Sequence, residues 1–215
     1  MLFRSTLANE NLRAERLTGG EAGLRVTAFE KLVVRGTVFW NDVTRPIANV
    51  TLQTTPALIT RQRQNLGRTR SRGVEIEAEA RLNEFWNLSA GYLFADATVV
   101  RFPANTALEG LMIPQVPRHQ FTFQARYTNP SIITVSLQGR AASSQFDDDQ
   151  NVFRLGSYFT LDVFISRRLA RGLEAFVAVE NLFGRQYEIG KTPLVTLGPP
   201  TLIRGGFRFS RAGHR

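Results

Sequence analysis

The side chains able to do chemistry are few and far apart in this 215-residue chain. There is no Cys, and the two His are His119 and His214. That excludes disulfides, thiolate metal sites and Cys nucleophiles, and it leaves His119 as the centre of any Ser-His-Asp arrangement. His119 follows Pro117 at the start of an alternating segment, so it reads as a strand residue. The run Asp147-Asp148-Asp149 offers carboxylates for a hard cation. It lacks the spaced ligands and the Gly of a defined calcium loop, and reads first as a solvated acidic loop tip. No Gly-rich phosphate cradle, paired catalytic carboxylates or nucleophile elbow occurs, so the sequence is that of a non-enzyme with no cofactor. The net charge of +9 comes almost wholly from Arg, with Lys only at 31 and 191. Its densest group is Arg61, Arg63, Arg68, Arg70 and Arg72, and no RNA-binding or helix-turn-helix pattern accompanies it. No nucleic-acid partner is expected.

The elements that must position these residues are strands. Period-two alternation recurs along the chain, the mark of a strand whose faces meet different environments. Phe121, Phe123, Ala125 and Tyr127 alternate with Gln120, Thr122, Gln124 and Arg126. Val74, Ile76, Ala78, Ala80 and Leu82 alternate with Glu75, Glu77, Glu79 and Arg81. The same reading gives strands at 24–28, 34–40, 86–94, 133–139, 159–165, 173–179 and 203–209, nine in all. Helical apolar spacing is nowhere sustained over a comparable length, and no apolar run is long enough for a transmembrane helix. The first residues are too short and polar for a secretory signal. The expectation is therefore either a piece of a longer chain or a protein that stays where it is made.

Connections alternate between short and long. Short turns fall near Glu30-Lys31, Asn83-Glu84, Asn129-Pro130-Ser131 and Ala170-Arg171-Gly172; long loops fall near 48–58, 100–117, 144–155 and 183–200. In an up-and-down meander this gathers all turns at one end and all loops at the other, as in outer-membrane barrels with short periplasmic turns and long extracellular loops. The segment 74–82 supplies the roughly 9–11 residues of a transmembrane strand. From 59 to 72 both faces are polar, which predicts one strand rising beyond the lipid and bending at Gly67 or Gly73. Phe29, Phe85, Trp86, Tyr127 and Phe209 stand near turn ends, where an aromatic girdle belongs. The charges Glu75, Glu77, Glu79, Arg81, Arg126, Arg140 and Asp162 are expected to face the lumen, since Arg at mid-depth on the lipid face costs roughly 2–4 kcal/mol. An odd count of nine would close only through a parallel seam. An open edge in hydrocarbon leaves backbone groups unpaired, so the nine strands are expected to be an incomplete part of a larger barrel.

Several motifs, in order, resemble the C-terminal half of TonB-dependent outer-membrane receptors. Asn11-Leu12-Arg13-Ala14-Glu15 followed by Gly20-Glu21-Ala22-Gly23 is similar to the family's loop-to-strand pattern, with Ala14 in place of the usual Pro. Asn65-Leu66-Gly67 with Arg72-Gly73-Val74-Glu75 resembles its Asn-x-Gly…Gly-Val-Glu strand. Pro114, Pro117-Arg118-His119, then Val179-Glu180-Asn181-Leu182-Phe183, Tyr187 and Gly198-Pro199-Pro200 follow in the family's order. Asn65, Gly67, Gly73, Glu75, Asn181, Phe183 and Phe209 are the motif positions. The family ends its last strand on an aromatic residue read by the barrel-assembly machinery; here Phe209 is followed by Ser210-Arg211-Ala212-Gly213-His214-Arg215.

The resemblance implies an all-β, antiparallel, up-and-down transmembrane barrel segment in a Gram-negative outer membrane: 1–22 as an extracellular loop, 23–209 as barrel and 210–215 as a polar tail. It implies energised uptake of scarce nutrients such as iron-siderophore chelates or cobalamin. The implied partners are outer-membrane lipid, the remaining strands and plug domain of a parent receptor, and the TonB complex through a segment N-terminal to these residues. A passive pore, whose lumen filters by size and charge, and a truncated receptor remnant are the competing expectations.

Overall fold

Two environments on two faces make a wide sheet, and the strands bear this out in register. The computed structural model describes residues 3–210. Its strands are β1 (Phe3–Leu7), β2 (Arg16–Ala28), β3 (Leu32–Thr44), β4 (Ile47–Thr54), β5 (Leu58–Asn65), β6 (Arg68–Arg81), β7 (Trp86–Arg101), β8 (His119–Asn129) and β9 (Ile133–Ala142). They continue as β10 (Gln145–Phe146), β11 (Arg154–Leu155), β12 (Tyr158–Ala170), β13 (Leu173–Glu180), β14 (Glu188–Gly190), β15 (Thr196–Leu197) and β16 (Leu202–Phe209). Among the described residues, nine form one sheet in the order β16-β13-β12-β9-β8-β7-β6-β3-β2. Every neighbouring pair in it is antiparallel. These are the nine strands of the alternation, in an up-and-down meander.

Register assigns the faces. Glu75, Glu77 and Glu79 stand opposite Thr37, Arg35 and Val33 on β3 and Leu93, Gly91 and Ser89 on β7. Arg35 bridges Glu77 and Glu79 at 3.4 and 2.8 Å, so these charges share one face. The other face carries Leu24, Gly36, Ile76, Tyr92 and Phe121 in one row and Ala22, Val38, Val74, Phe94 and His119 in the next. Val26, Val38, Ile76, Phe121, Leu137, Phe159, Ile165, Val177, Ile203 and Phe207 lie exposed on it. An apolar face this wide is stable only against lipid. Eight residues of β6, from Val74 to Arg81, rise about 3.3 Å each; at a tilt near 40° they cover roughly 20 Å of the ~25 Å band of outer-membrane barrels.

The turns at 29–31, 82–85, 130–132 and 171–172 lie at one end and the loops at 45–67, 102–118, 143–157 and 181–201 at the other. Asn83 Oδ1 accepts from the N–H of Phe85 and Trp86, and Asn129 Oδ1 from that of Ser131, which closes two of the turns. The turn after β2 places Phe29 and Glu30 at φ of 52° and 55°, the left-handed pair that matches strand twist, here without the Gly or Asn that usually holds it. At this end Tyr127 packs 5.9 Å from Phe85 and 5.2 Å from Trp86. Phe29 and Phe209 are 92% and 80% exposed at the same end, so the girdle forms as expected.

Two expectations are corrected. Residues 59–72 do not form one bent strand. β5 belongs to a separate three-stranded sheet, antiparallel to β4 and parallel to β1, and the chain turns at Leu66-Gly67 before β6 begins. Leu66 is drawn into an apolar cluster with Val50, Val99, Phe102 and Leu108, which outweighs continuing the strand into water. A Cβ at Gly67 would lie 2.6 Å from the carbonyl oxygen of Arg101, so this turn admits only Gly. The second correction concerns 1–22, which is not all loop: β2 starts at Arg16 because β3 extends to Thr44 and offers its backbone to Arg16. Arg211 to Arg215, including His214, lie outside the described residues, as does most of the polar tail.

Candidate functional site

The long loops meet above the wall and form one packed cluster. Its core is Val50, Leu66, Val99, Phe102 and Leu108, joined by Ala48 and Leu111. The hairpin β4–β5, the upper end of β7 and the 102–118 loop all contribute. Backbone bonds from Val99 N–H to Leu111 O and from Ile113 N–H to Ala97 O continue the pairing of β7 into that loop.

The acidic run is the fastener of this cluster. Asp147 and Asp148 are 8% and 3% exposed, which corrects the expectation of a solvated acidic tip. Asp147 Oδ2 accepts from Thr192 N–H (2.8 Å), Thr192 Oγ1–H (2.7 Å) and Lys191 N–H (2.9 Å), and Oδ1 accepts from Gln115 Nε2 (3.0 Å). Asp148 accepts from the N–H of Gln150, Val152 and Phe153 and so folds its own loop. Asp149 accepts from Thr51 N–H and Oγ1–H at 2.8 and 2.6 Å. Three consecutive carboxylates thus tie the 181–201 loop, the 143–157 loop and the β4–β5 hairpin together, in charge-assisted bonds stronger than neutral ones. Their lone pairs are committed to protein donors, and among the described residues no group of acidic or His side chains has metal-ligating geometry. Burial alone would push the Asp147 carboxyl up; the hydroxyl of Thr192, the N–H of Lys191, Gln115 and the N–H of Thr192 overcome it and hold the group below the ordinary carboxylate range.

Arg61 enters the cluster from β5. It is 6% exposed, its guanidinium reaches Thr192 Oγ1 at 3.4 Å, and its Nε has no hydrogen-bond partner among the described residues. Burial lowers its pKa, with repulsion from Arg4 adding to this and Asp149, Asp147 and Asp148 opposing it. Beside it lies a cleft of about 390 Å³ lined by the β4–β5 hairpin, Val99, Pro114, Gln115 and the three Asp. The basic group read in the sequence is therefore divided: Arg61 sits inside the loop cluster, while Arg68, Arg70 and Arg72 lie on β6 and pair with Asp42 and Asp96.

The motif positions turn out to be joints. Asn65 Oδ1 accepts from Arg13 N–H at 2.7 Å, while its Nδ2 donates to Arg13 O and Arg45 O at 2.8 and 2.7 Å. Glu15 accepts from Ile47 N–H. The Asn11–Glu15 motif and the Asn65 motif, fifty residues apart, are thereby one structural unit. Gly73 sits in β6 facing the lumen, where a Cβ would meet Phe94 O at 2.0 Å and the Phe39 ring at 2.7 Å; Glu75 is exposed on the same face. Asn181, at φ of 49°, is 4% exposed. Its N–H donates to Asp162 Oδ1, its Oδ1 accepts from Arg185 N–H, and its Nδ2 donates to Arg185 O and Pro199 O, holding both ends of the 181–201 loop. Within that loop Tyr187 stacks on Tyr158 at 4.3 Å and covers Gly198, where a Cβ would lie 2.1 Å from its ring. Phe183 is exposed, and His119 Nδ1 is 2.8 Å from Tyr92 Oη at the start of β8.

Residues 2–182 match the family described as TonB dependent receptor-like, beta-barrel. The chain belongs to that family. The ferrichrome outer membrane transporter/phage receptor of Escherichia coli (strain K12) is 36% identical over 129 residues, 56% of this chain and 17% of that protein. The probable TonB-dependent receptor BfrD of Bordetella pertussis is 25% identical over 203 residues, 89% of this chain and 26% of that one. The crystal structure of the siderophore receptor PiuA from Acinetobacter baumannii superposes with a TM-score of 0.74 at 16% identity, covering 90% of this chain and 28% of that one. The chain thus spans about a fifth of the length of these curated relatives. The wall described above is an open part of an outer-membrane barrel.

Proposed function

We propose that these strands are the C-terminal wall and part of the extracellular mouth of a TonB-dependent receptor that takes up ferric siderophores, without enzymatic activity of its own. The observation that carries this reading is the loop cluster: two buried carboxylates, the half-buried Asp149 and Asn181 hold the mouth in one shape above a charged lumen wall. Relatives named for ferrichrome and ferric-pyoverdine favour a siderophore over cobalamin as the ligand class. Arg35, Glu75, Glu77 and Glu79 face the space a plug domain would fill, and the open edges of β2 and β16 take the remaining strands of the barrel. Coupling to TonB runs through the N-terminal part of such a receptor rather than through these residues.

The test is uptake of 55Fe-labelled siderophores by iron-limited cells whose sole receptor is the full-length chain carrying this segment. Accumulation that stops on removing TonB or adding a protonophore supports the proposal. Uptake that persists unenergised and scales with solute size indicates a passive pore and refutes it.

A further inference from the structure

The turn end of the sheet carries a cavity of its own, on the charged face. Register lays Arg168, Glu174 and Arg208 in one row across β12, β13 and β16. Phe207 and Phe209 flank Arg208 and belong to the apolar side, so this row faces the lumen. The next row up holds Thr134, Ser166 and Phe176. With the turns at 130–132 and 171–172, these rows border a cavity of about 280 Å³ whose polar lining is Arg168, Arg171, Glu174, Arg208, Ser166 and Thr134. Ser166 is 3% exposed.

Three guanidinium groups meet one carboxylate here, an excess of two positive charges. Glu174 Oε2 accepts from Arg208 at 3.2 Å, and among the described residues neither Arg168 nor Arg171 has an acidic partner within ion-pair distance. The sequence adds to the charge: the turn is entered through Arg167-Arg168-Leu169-Ala170-Arg171, and 210–215 brings Arg211 and Arg215 with no acidic residue. The lumen charges of β6 are the opposite, with Arg35 taken by Glu77 and Glu79. The walls of the cavity are also fixed. Ser210 N–H donates to Gly172 O at 2.8 Å and ties the β12–β13 turn to the end of β16. Gly172 has φ of 78°, and a Cβ there would lie 2.4 Å from Ser210 O, so this contact requires Gly. Asn129 Oδ1 holds the facing turn through Ser131 N–H at 3.0 Å. Cations on a rigid rim lose little freedom when an anion binds, and guanidinium forks match carboxylate oxygens bidentately.

We propose that Arg168, Arg171 and Arg208 form a docking site for an acidic polypeptide segment at the turn end of the barrel. Charge complementarity selects carboxylates, and a cavity of this size takes the acidic side chains of an extended segment rather than a folded domain. Lipid headgroups lie against the other face of the sheet. In the orientation that the uptake reading gives the barrel, the site opens on the periplasm. Binding is measured on purified protein, so its failure and the failure of the uptake reading are separate results.

The experiment follows the fluorescence anisotropy of a fluorescein-labelled hexapeptide of alternating Glu and Ser, titrated with the full-length chain in non-ionic detergent at low salt, where exposed charges are least screened. The wild type should bind it about tenfold more tightly than the same peptide with Gln in place of Glu. Arg168→Gln with Arg171→Gln should abolish that preference, whereas Arg101→Gln with Arg140→Gln, nearer the loop end, should keep it. Glu174→Gln frees Arg208 and should tighten binding about threefold, which a merely structural role for this row would not do. The four arginines are exposed, and heat-modifiable gel mobility confirms that each variant is folded. Equal binding of the Glu and Gln peptides, an equal loss in the loop-end pair, or displacement of the peptide by inorganic phosphate at equal concentration would overturn the proposal.

Discussion

Replacing Asp147 by Ala removes one carboxylate and leaves three loop segments without their common acceptor. The Lys191 and Thr192 N–H groups, at 2.9 and 2.8 Å from Oδ2, would be left without it in a site where Thr192 is 6% exposed. An unsatisfied buried backbone donor costs about 1–3 kcal/mol. With some recovery by entering water, the two together come to about 3 kcal/mol, and the lost Gln115 and Thr192 Oγ1 bonds add to it. At 1.4 kcal/mol per decade that is a roughly hundredfold rise in the population of the opened loop. Asp147→Asn keeps one acceptor oxygen and removes the charge, so about tenfold is expected. Hydrogen–deuterium exchange followed by mass spectrometry reads this directly, since the peptides covering 188–195 and 111–117 should lose protection while those of β6, β7 and β8 keep theirs. Exchange at 191–192 within threefold of wild type, or a loss spread evenly over the nine strands, would refute the claim that Asp147 is a local clamp.

The same carboxylate sets a pH dependence. Its folded pKa lies below the ordinary carboxylate value, so its stabilisation is complete above about pH 5, declines as the pH falls through the range near 4, and is gone once the pH passes below the folded pKa. Exchange at 191–192, corrected for the intrinsic rate, should be flat from pH 8 to 5 and rise only in more acid solution; a rise centred near pH 6 would contradict the assignment. On the lipid face, a Cβ at Gly139 would lie 2.1 Å from the Phe123 ring, which is itself stacked 6.5 Å from Phe159. Gly139→Val should therefore displace the ring and destabilise the full-length barrel by about 1–3 kcal/mol in urea unfolding from lipid vesicles, and Phe123→Leu in the same background should recover part of it.

The sequence by itself determined the wall. Whether Val74 or Glu75 meets lipid depends on a period of two and on nothing distant, because a strand in a barrel wall shows water on one side and hydrocarbon on the other wherever it lies. Turn chemistry is just as local, as Asn83 and Asn129 show by bonding residues two and three ahead. What the pattern could not carry was the arrangement of the loops. Residues 59–65 and 68–72 read as one polar strand, since the turn between them is made by Leu66 burying itself against Val99 and Phe102, more than thirty residues on. Asp147, Asp148 and Asp149 read as an exposed acidic run, since the donors that bury them come from Thr51, Gln115 and Thr192, up to 98 residues away. The arginines of β6 gave charge without address. Only strand register, which brings Asp42 and Asp96 onto neighbouring rows of one face, decided that the arginines of β6 are paired rather than apart in water. Faces follow from local sterics and solvent, while partners follow from contacts closed over long stretches of chain, and those exist only once the sheet has formed.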